Sequence, residues 1–148
     1  MLTIFDVAEH ILLKQGATTA MKLQKLCYYA QAWSLAWDGK PLFDEDFQAW
    51  ANGPVCPELF AAHRGKFTLT PGYFTPREMQ ELDNEQAETL DVVLAGYGHY
   101  EPYELSELTH SERPWRESRR GTPDGMPCDN VIEKDLMLDY YGGLISAE

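Results

Sequence analysis

The chain has 148 residues, with 24 acidic and 12 basic side chains and a formal net charge of -12. Its length suits one domain with its own core, expected to span residues 1–148, and its apolar runs fall short of the ~20 residues that cross a bilayer. Such an acidic chain repels nucleic-acid phosphates, so direct nucleic-acid binding is not expected and a basic partner is favoured.

Two amphipathic helices are predicted at the start of the chain. Apolar residues recur at helical spacing from Ile4 onward and stop at Gly16, where glycine can end a helix. Thr18 or Thr19 can cap a second helix, which is expected to run to about Gly39. Its core-facing stripe comprises Leu23, Leu26, Cys27, Ala30, Trp33 and Trp37, and the polar residues expected away from that stripe are Lys22, Gln24, Lys25 and Gln31.

Short elements and turns are predicted in the middle of the chain. Residues 47–50 fit a short strand, Gly53-Pro54 fits a rigid turn, and Pro57 can start a short helix. Residues 66–70 and 73–75 flank a Pro-Gly turn pair, which predicts a small hairpin.

The second half is predicted to be helical. Thr75, followed by proline and an acidic residue, is a helix-start signal, and an apolar stripe that stops at Gly98 ends that helix, with a possible break near residues 83–84. A short helix is expected after Pro102, and Ser111 can cap the next one. Asn130 and Glu133 are expected to start the last helix, with Ile132, Leu136 and Tyr140 facing inward. The predicted fold class is mainly α: a compact single-domain helical bundle with a small β-hairpin or short strands as an appendage.

The residues show no catalytic, metal-binding or cofactor-binding motif, so the chain is expected to be neither an enzyme nor a cofactor carrier. Cys27 lies on the core stripe, and Cys56 has an apolar setting, so both are expected to be structural. The polar run from Thr109 to Glu112 could belong to an active site, but its composition better fits a helix end followed by an N-cap.

The cysteines also bear on location. The chain has three, widely separated and without a C-x-x-C pair, which is typical of reduced thiols. The first residues lack the basic start and apolar core of a signal peptide. We therefore expect a cytoplasmic protein.

Aromatic residues are more abundant than a domain of this size buries easily. We therefore predict that some of them form an exposed aromatic patch, which is typical of a protein-binding site. Tyr73 and Phe74, in a loop, are expected to lie outside the core. The candidate partner-binding residues are Tyr73, Phe74, Tyr28, Tyr29, Trp50 and Tyr100.

Several blocks of the sequence resemble one family when they are taken in order. The blocks are KLQKLCYYAQAW at 22–33, AWANGPV at 49–55, Tyr97-Gly98, ELSELTHSERPW at 104–115, and a closing part with Val131-Ile132-Glu133 and Tyr140-Tyr141. Together they are similar to the Panacea domain family, the SocA-like antitoxin domains that are often phage-associated. The resemblance spans nearly the whole chain.

The resemblance implies an antitoxin. Such a helical domain binds a cognate protein toxin, usually encoded by an adjacent gene, and blocks its active surface. Some SocA-like members act as proteolytic adaptors that deliver the toxin to an ATP-dependent protease. The resemblance leaves both mechanisms open.

Two other classes of function remain as alternatives. One is an acidic, phage-type regulator or nucleic-acid mimic that binds a DNA- or RNA-binding protein, since residues 75–148 carry 17 acidic side chains against 6 basic ones. The other, less favoured, is a small enzyme whose site is assembled from distant residues such as Cys56 and His110.

Overall fold

Helices dominate the computed structural model, which describes residues 1–146. They are α1 (Ile4–Gln15), α2 (Ala20–Asp38), α3 (Pro57–His63), α4 (Asn84–Tyr97), α5 (Pro102–Ser111), α6 (Arg113–Ser118) and α7 (Lys134–Ser146). The strands are β1 (Thr18–Thr19), β2 (Phe47–Trp50), β3 (Gly53–Val55), β4 (Thr68–Leu69) and β5 (Val131–Ile132). The mainly α prediction is confirmed. In the described part of the chain, no helix is both long and apolar enough to span a membrane.

Helix α2 is the centre of the fold. It begins after Thr19, whose hydroxyl oxygen accepts a hydrogen bond from the Lys22 amide at 3.2 Å. It ends at Gly39, which adopts a left-handed conformation with φ of 70°. Helices α1, α4, α5 and α7 all pack against it. Both predicted ends of this helix are confirmed.

Three polar residues in the middle of α2 are buried together with most of its apolar stripe. Gln24, Lys25 and Gln31 are each at most 1% exposed. The prediction that these residues lie away from the core is therefore wrong. The physical reason is that α2 is enclosed by four helices and by β3, so its middle turns have no face left for solvent.

The two buried glutamines bond to the backbone of distant segments. Gln24 accepts a hydrogen bond from the Cys56 amide at 2.9 Å and donates one to the Cys56 carbonyl at 3.3 Å. Gln31 accepts from the Leu42 amide and donates to the Phe43 carbonyl, both at 2.7 Å. These bonds replace the hydrogen bonds to water that the glutamines lose on burial. They also fix the segments that follow α2 and β3.

Two carboxylates of α1 hold the segment that follows β4. Glu9 accepts hydrogen bonds from the Gly72 and Phe74 amides at 2.6 and 2.9 Å. Asp6 accepts from the Gln80 amide at 2.8 Å. Because both ends of the segment are bonded to α1, the Phe74 ring is drawn into the core.

This anchoring overturns two predictions about the same segment. The hairpin around Pro71-Gly72 does not form, because β4 pairs with β1 in an antiparallel sheet. Thr75 does not start a helix, and its hydroxyl instead donates to the Gly72 carbonyl at 2.7 Å. Helix α4 begins at Asn84, since Asp83 and Gln86 form a capping box there.

The larger sheet, in the order β3-β2-β5, belongs to the core and is not an appendage. Phe47, Ala49 and Ile132 are each at most 1% exposed and join the hydrophobic core. The strand predicted at residues 47–50 is confirmed. Asn130 does not start the last helix, because its carbonyl accepts a hydrogen bond from the Ala49 amide at 2.8 Å and the next two residues form β5.

The remaining helices agree with the sequence except at two points. The starts of α3 and α5 and the end of α4 before Gly98 are confirmed. Ser111 does not cap α6, because its hydroxyl donates to the Leu108 carbonyl at 2.7 Å and Glu112 occupies the N-cap position. In α7 the buried residues are Met137 and Tyr141, one position beyond the predicted Leu136 and Tyr140.

Lys25 lies under the turn between β2 and β3. A β carbon at Gly53, where φ is 123°, would lie 2.9 Å from Lys25 Cε and 3.1 Å from Thr109 Oγ1. Among the described residues, Lys25 Nζ has no hydrogen-bond partner. Burial lowers the pKa of Lys25 from its ordinary 10.5 to about 8. Burying the charged form of this side chain therefore destabilises the fold.

We expect Lys25→Met to raise the free energy of unfolding at pH 7 by about 3 kcal/mol, because the lowering of the Lys25 pKa on folding corresponds to a free-energy cost of that size. Below pH 8 the wild-type lysine is charged in both states and the full penalty applies. Between pH 8 and 10.5 the folded state is already neutral, so the advantage of the variant shrinks. Urea unfolding at pH 7 and 9 measures this difference.

Lys22→Met is the matched control, because the Lys22 ammonium donates to the Gly98 carbonyl at 2.7 Å and its removal loses that bond. If Lys25→Met were less stable than the wild type by the same amount at pH 7 and at pH 9, this result would contradict an unpaired ammonium at Lys25.

Candidate partner-binding groove

An aromatic groove with a volume of 450 Å³ opens between α2, α4 and α5. Its rings and its charged group belong to Trp33, Trp37, Tyr97, Tyr100 and Glu112, and Val92, Val93, Gly96 and Leu108 complete its walls. We call these residues the aromatic groove. Trp37 is 43% exposed, whereas Glu112 is 7% exposed, so the groove has an accessible ring at its rim and a buried carboxylate inside it.

Contacts between rings fix the shape of the groove. Trp33 and Trp37 are one helical turn apart in α2, and their rings stack with centroids 5.1 Å apart. Trp33 Nε1 donates a hydrogen bond to the Tyr97 hydroxyl at 2.9 Å. Tyr97 in turn stacks on the buried Tyr29 ring at a centroid distance of 4.0 Å. The groove is therefore preformed, as binding sites usually are.

Glu112 is bonded to tyrosines of the core. Its Oε1 accepts hydrogen bonds from the hydroxyls of Tyr29 and Tyr141 at 2.7 and 2.9 Å. The Tyr28 hydroxyl lies 3.1 Å from that of Tyr141. Burial raises the pKa of the Glu112 carboxyl, because the loss of water outweighs the two tyrosine hydrogen bonds.

The second oxygen of this carboxyl is unused within residues 1–146. Both side-chain hydrogen bonds of Glu112 end on Oε1, which leaves Oε2 without a donor. The ion pairs of the described residues do not include Glu112 either. Glu112 also lines the groove.

A smaller acidic hollow continues from the aromatic groove. It has a volume of 290 Å³ and shares Trp37 and Val92 with the groove. We call its carboxylates, Asp38, Glu85 and Glu88, the acidic hollow. Glu85 lies 3.8 Å from the Lys40 ammonium. The combined surface therefore has aromatic rings at one end and carboxylates at the other.

A separate hollow of 650 Å³ lies beside Trp50 and is larger than the aromatic groove. Met21, Gln48, Ala51, Asn52, Pro127, Cys128 and Asp129 form the rest of its lining. Trp50 Nε1 already donates to Gln48 Oε1 at 2.8 Å, and Asp129 is exposed. The lining contains no buried charged side chain, so this hollow is the weaker candidate for a specific site.

The six residues predicted to bind a partner lie in different places. Tyr100 lines the aromatic groove, Tyr28 and Tyr29 are buried beneath it, Trp50 lines the separate hollow, Tyr73 is half-buried, and Phe74 is fully buried. They do not form one surface.

The expectation that Phe74 lies outside the core is wrong, because the bond from its amide to Glu9 holds the residue against α1. Tyr73 is partly accessible, with its hydroxyl bonded to the Ala62 carbonyl at 2.8 Å. Tyr28 and Tyr29 are at most 1% exposed and have no ring surface for a partner in this structure. Tyr29 supports the groove through its hydrogen bond to Glu112 and its stack on Tyr97.

The sequence analysis misses four of the aromatic and charged groove residues. Trp33 and Trp37 fall on the predicted core stripe of α2, Tyr97 ends the apolar stripe before Gly98, and Glu112 falls in a predicted helix end. The signal for Trp37 is its position in the last turn of α2, where the enclosing helices leave one side open. The signal for Glu112 is weaker, since its partners Tyr29 and Tyr141 are 83 and 29 residues away.

Burial shifts the pKa of the two cysteines and of the histidine that the enzyme alternative involves. Cys27 and Cys56 are buried, and burial raises the pKa of Cys56 to about 12 and that of Cys27 well above its ordinary value. The His110 ring stacks on Trp115 at 3.9 Å, and burial lowers its pKa. Among the residues that the structure describes, no group of three His, Cys, Asp or Glu side chains could hold a metal ion.

Comparison with known proteins identifies one family. The family model described as "Antitoxin SocA-like, Panacea domain" matches residues 23–116. The aromatic groove and the acidic hollow both lie within this range. No curated protein and no solved structure matches the chain.

Glu112 variants separate the hydrogen bonds of this carboxylate from its charge. Glu112→Gln keeps an acceptor for both tyrosines, so we expect its unfolding free energy to remain within about 1 kcal/mol of wild type or to rise. Glu112→Ala leaves two buried hydroxyls without their acceptor and should lose about 2 kcal/mol.

The pH dependence of these variants follows from the raised pKa of Glu112. Above pH 4.5 and below the raised pKa, the folded state holds a proton that the unfolded state has released. The free energy of unfolding of the wild type therefore falls as the pH rises through this range. Glu112→Gln should therefore gain on wild type between pH 4.5 and 7 in urea unfolding. Equal stability of the alanine and glutamine variants would contradict the role of the hydrogen bonds.

Proposed function

The chain belongs to the family of SocA-like antitoxins with a Panacea domain, and from this premise we propose that it is an antitoxin that binds and neutralises a cognate protein toxin. The toxin would be encoded by an adjacent gene. In this proposal the protein acts in the cytoplasm as one domain of residues 1–148. It uses no cofactor and catalyses no reaction of its own.

The observation that carries this proposal is the aromatic groove inside the matched region. Tryptophan and tyrosine dominate the energetics of protein interfaces, and preformed clefts with an accessible aromatic rim are typical anchor sites. The exposed Trp37 and the partly exposed Tyr100 supply such a rim. The groove is thus the proposed toxin contact.

The distribution of acidic residues favours this function over nucleic-acid mimicry. A mimic needs its carboxylates on one surface, at the spacing of duplex phosphates. Here Glu9 and Glu112 are buried, Asp46 pairs with Lys134, and Asp91 faces Lys14 on α1. The carboxylates therefore serve several unrelated contacts.

The proposed mechanism is occlusion: the bound domain covers the active surface of the toxin. Delivery of the toxin to an ATP-dependent protease is the alternative route to the same protection. Co-expression with the adjacent gene distinguishes them. Relief of growth arrest with an intact complex supports occlusion, and relief with loss of the toxin, reversed by removal of the protease, supports delivery.

Trp37→Ala tests whether the groove is the contact surface. We expect it to reduce capture of the adjacent gene product about tenfold and to restore growth arrest, because a central tryptophan anchors many interfaces. Phe67→Ala is the control, since Phe67 is 81% exposed but lies outside the groove. Affinity and growth are measured for both variants.

The reverse pattern, with Phe67→Ala impaired and Trp37→Ala unchanged, would move the interface to the loop near β4. Absence of both toxicity and binding would remove the antitoxin function for that gene pair.

A further inference from the structure

We infer that the aromatic groove binds an arginine or lysine side chain from a basic segment of the protein partner, with the cationic group between the rings and Glu112 Oε2. This inference names the chemistry of the partner. It rests on the proposed function only for the identity of that partner as a toxin.

The first argument is the carboxyl oxygen of Glu112 that lacks a donor in the described chain. A carboxylate that is 7% exposed loses most of its hydration, and such groups in proteins are normally paired with a cation. Here the two tyrosine hydroxyls bond to Oε1. Within residues 1–146, the structure gives Oε2 no donor. An incoming cation would supply the missing partner and form a charge-assisted hydrogen bond.

The second argument is the set of rings that line the same groove as Glu112. Trp33, Trp37, Tyr97 and Tyr100 share the groove with Glu112. Aromatic faces attract cations within about 6 Å of the ring centre, and tryptophan does so most strongly. Rings together with one carboxylate favour a positively charged, partly apolar group. Arginine and lysine side chains have this composition, since an apolar stem carries the charge.

The lining of the groove includes no lysine or arginine, and two basic side chains from its neighbourhood in the sequence are engaged elsewhere. Arg113, the residue next to Glu112, pairs with Asp139 and with Glu117, the latter at 3.1 Å. Lys22, on the helix that supplies both tryptophans, donates to the Gly98 carbonyl at 2.7 Å. The groove is therefore not filled from within the described chain, and its cation must come from another molecule.

The acidic hollow indicates a segment of protein as the occupant, in place of a small free cation. It continues from the groove past Trp37 and adds the carboxylates of Asp38, Glu85 and Glu88. A lone ammonium ion would use the groove but not this extension. A chain with several basic residues contacts both parts, and the net charge of -12 steers it towards the surface. The same charge opposes a second copy of this chain as the occupant.

The test uses two synthetic peptides of nearly the same shape, in which a neutral urea group replaces each guanidinium. Acetyl-Ala-Arg-Ala-Arg-Ala-amide is titrated into the ¹⁵N-labelled full chain, beside its counterpart with citrulline at both arginine positions. We expect saturable shifts of the Trp33 and Trp37 indole signals, with the arginine peptide binding about tenfold more tightly. Equal affinity of the two peptides, or shifts confined to Trp50, would overturn the inference.

Glu112→Gln is the decisive variant. It keeps an acceptor for the tyrosines but replaces the free acceptor atom with an N–H donor, which opposes a cation. We expect it to weaken the arginine peptide about tenfold. Glu81→Gln makes the same change of charge at an exposed residue outside the groove and should have no effect. If both variants lose the same affinity for the arginine peptide, the effect arises from net charge alone, and the inference is overturned.

Further titrations test the class of occupant. Glu88→Gln should weaken the peptide about twofold, with an effect that disappears at high salt, because Glu88 is exposed. Tetramethylammonium chloride should bind far more weakly than the peptide. Binding of this ion as tightly as the peptide would make the groove a small-cation pocket and overturn the proposed segment. Self-association of the free chain that Trp37→Ala abolishes would also overturn it.

These results are independent of the antitoxin assay. If the peptide binds but the chain does not protect cells from the adjacent gene product, the groove binds basic segments and the adjacent gene product is not its toxin. Protection that survives Glu112→Gln would support the antitoxin function and overturn the cation-binding role of the groove.

Discussion

The enclosure of α2 by other elements is the constraint on which the rest of this structure depends. Gln24, Lys25 and Gln31 lie in the middle of this helix and are buried with it. Each of these side chains must therefore form hydrogen bonds inside the protein, or its burial destabilises the fold. The glutamines bond both ways to backbone groups of remote segments, at Cys56 and at residues 42–43. The positions of β3, α3 and the segment after α2 are therefore set by side chains of one helix.

The same constraint produces the candidate site. Tyr28 and Tyr29 are adjacent on α2, and both are buried, so their hydroxyls need partners inside the protein. Glu112 and Tyr141 meet this need and tie the start of α6 and the middle of α7 to α2. This arrangement leaves a buried carboxylate with a free oxygen at the floor of an aromatic groove. A stabilising contact of the core thus leaves one carboxyl oxygen of a groove residue without a donor among the described residues.

The sequence predicts those parts of the fold that local patterns specify. The ends of α2 at Thr19 and Gly39 and the start of α3 depend on residues within a few positions of each other, and they are confirmed. Thr75 and Asn130 carry equally good local signals, yet their backbones bond to Gly72 and Ala49 instead. For the site, Tyr100 was predicted, whereas Glu112 was missed because its partners are distant in sequence.

The groove and its rim differ in how freely their residues can change. Glu112 is bound to two core tyrosines, and Tyr97 stacks on one of them, so a substitution that removes the acceptor or the ring also disturbs the fold. Glu85 and Glu88 are exposed, where most substitutions alter stability by less than about 0.5 kcal/mol. A partner cation would therefore meet a fixed acceptor inside the groove and an adjustable charge outside it. A domain built in this way would retain one anchoring interaction while the charges at its rim change.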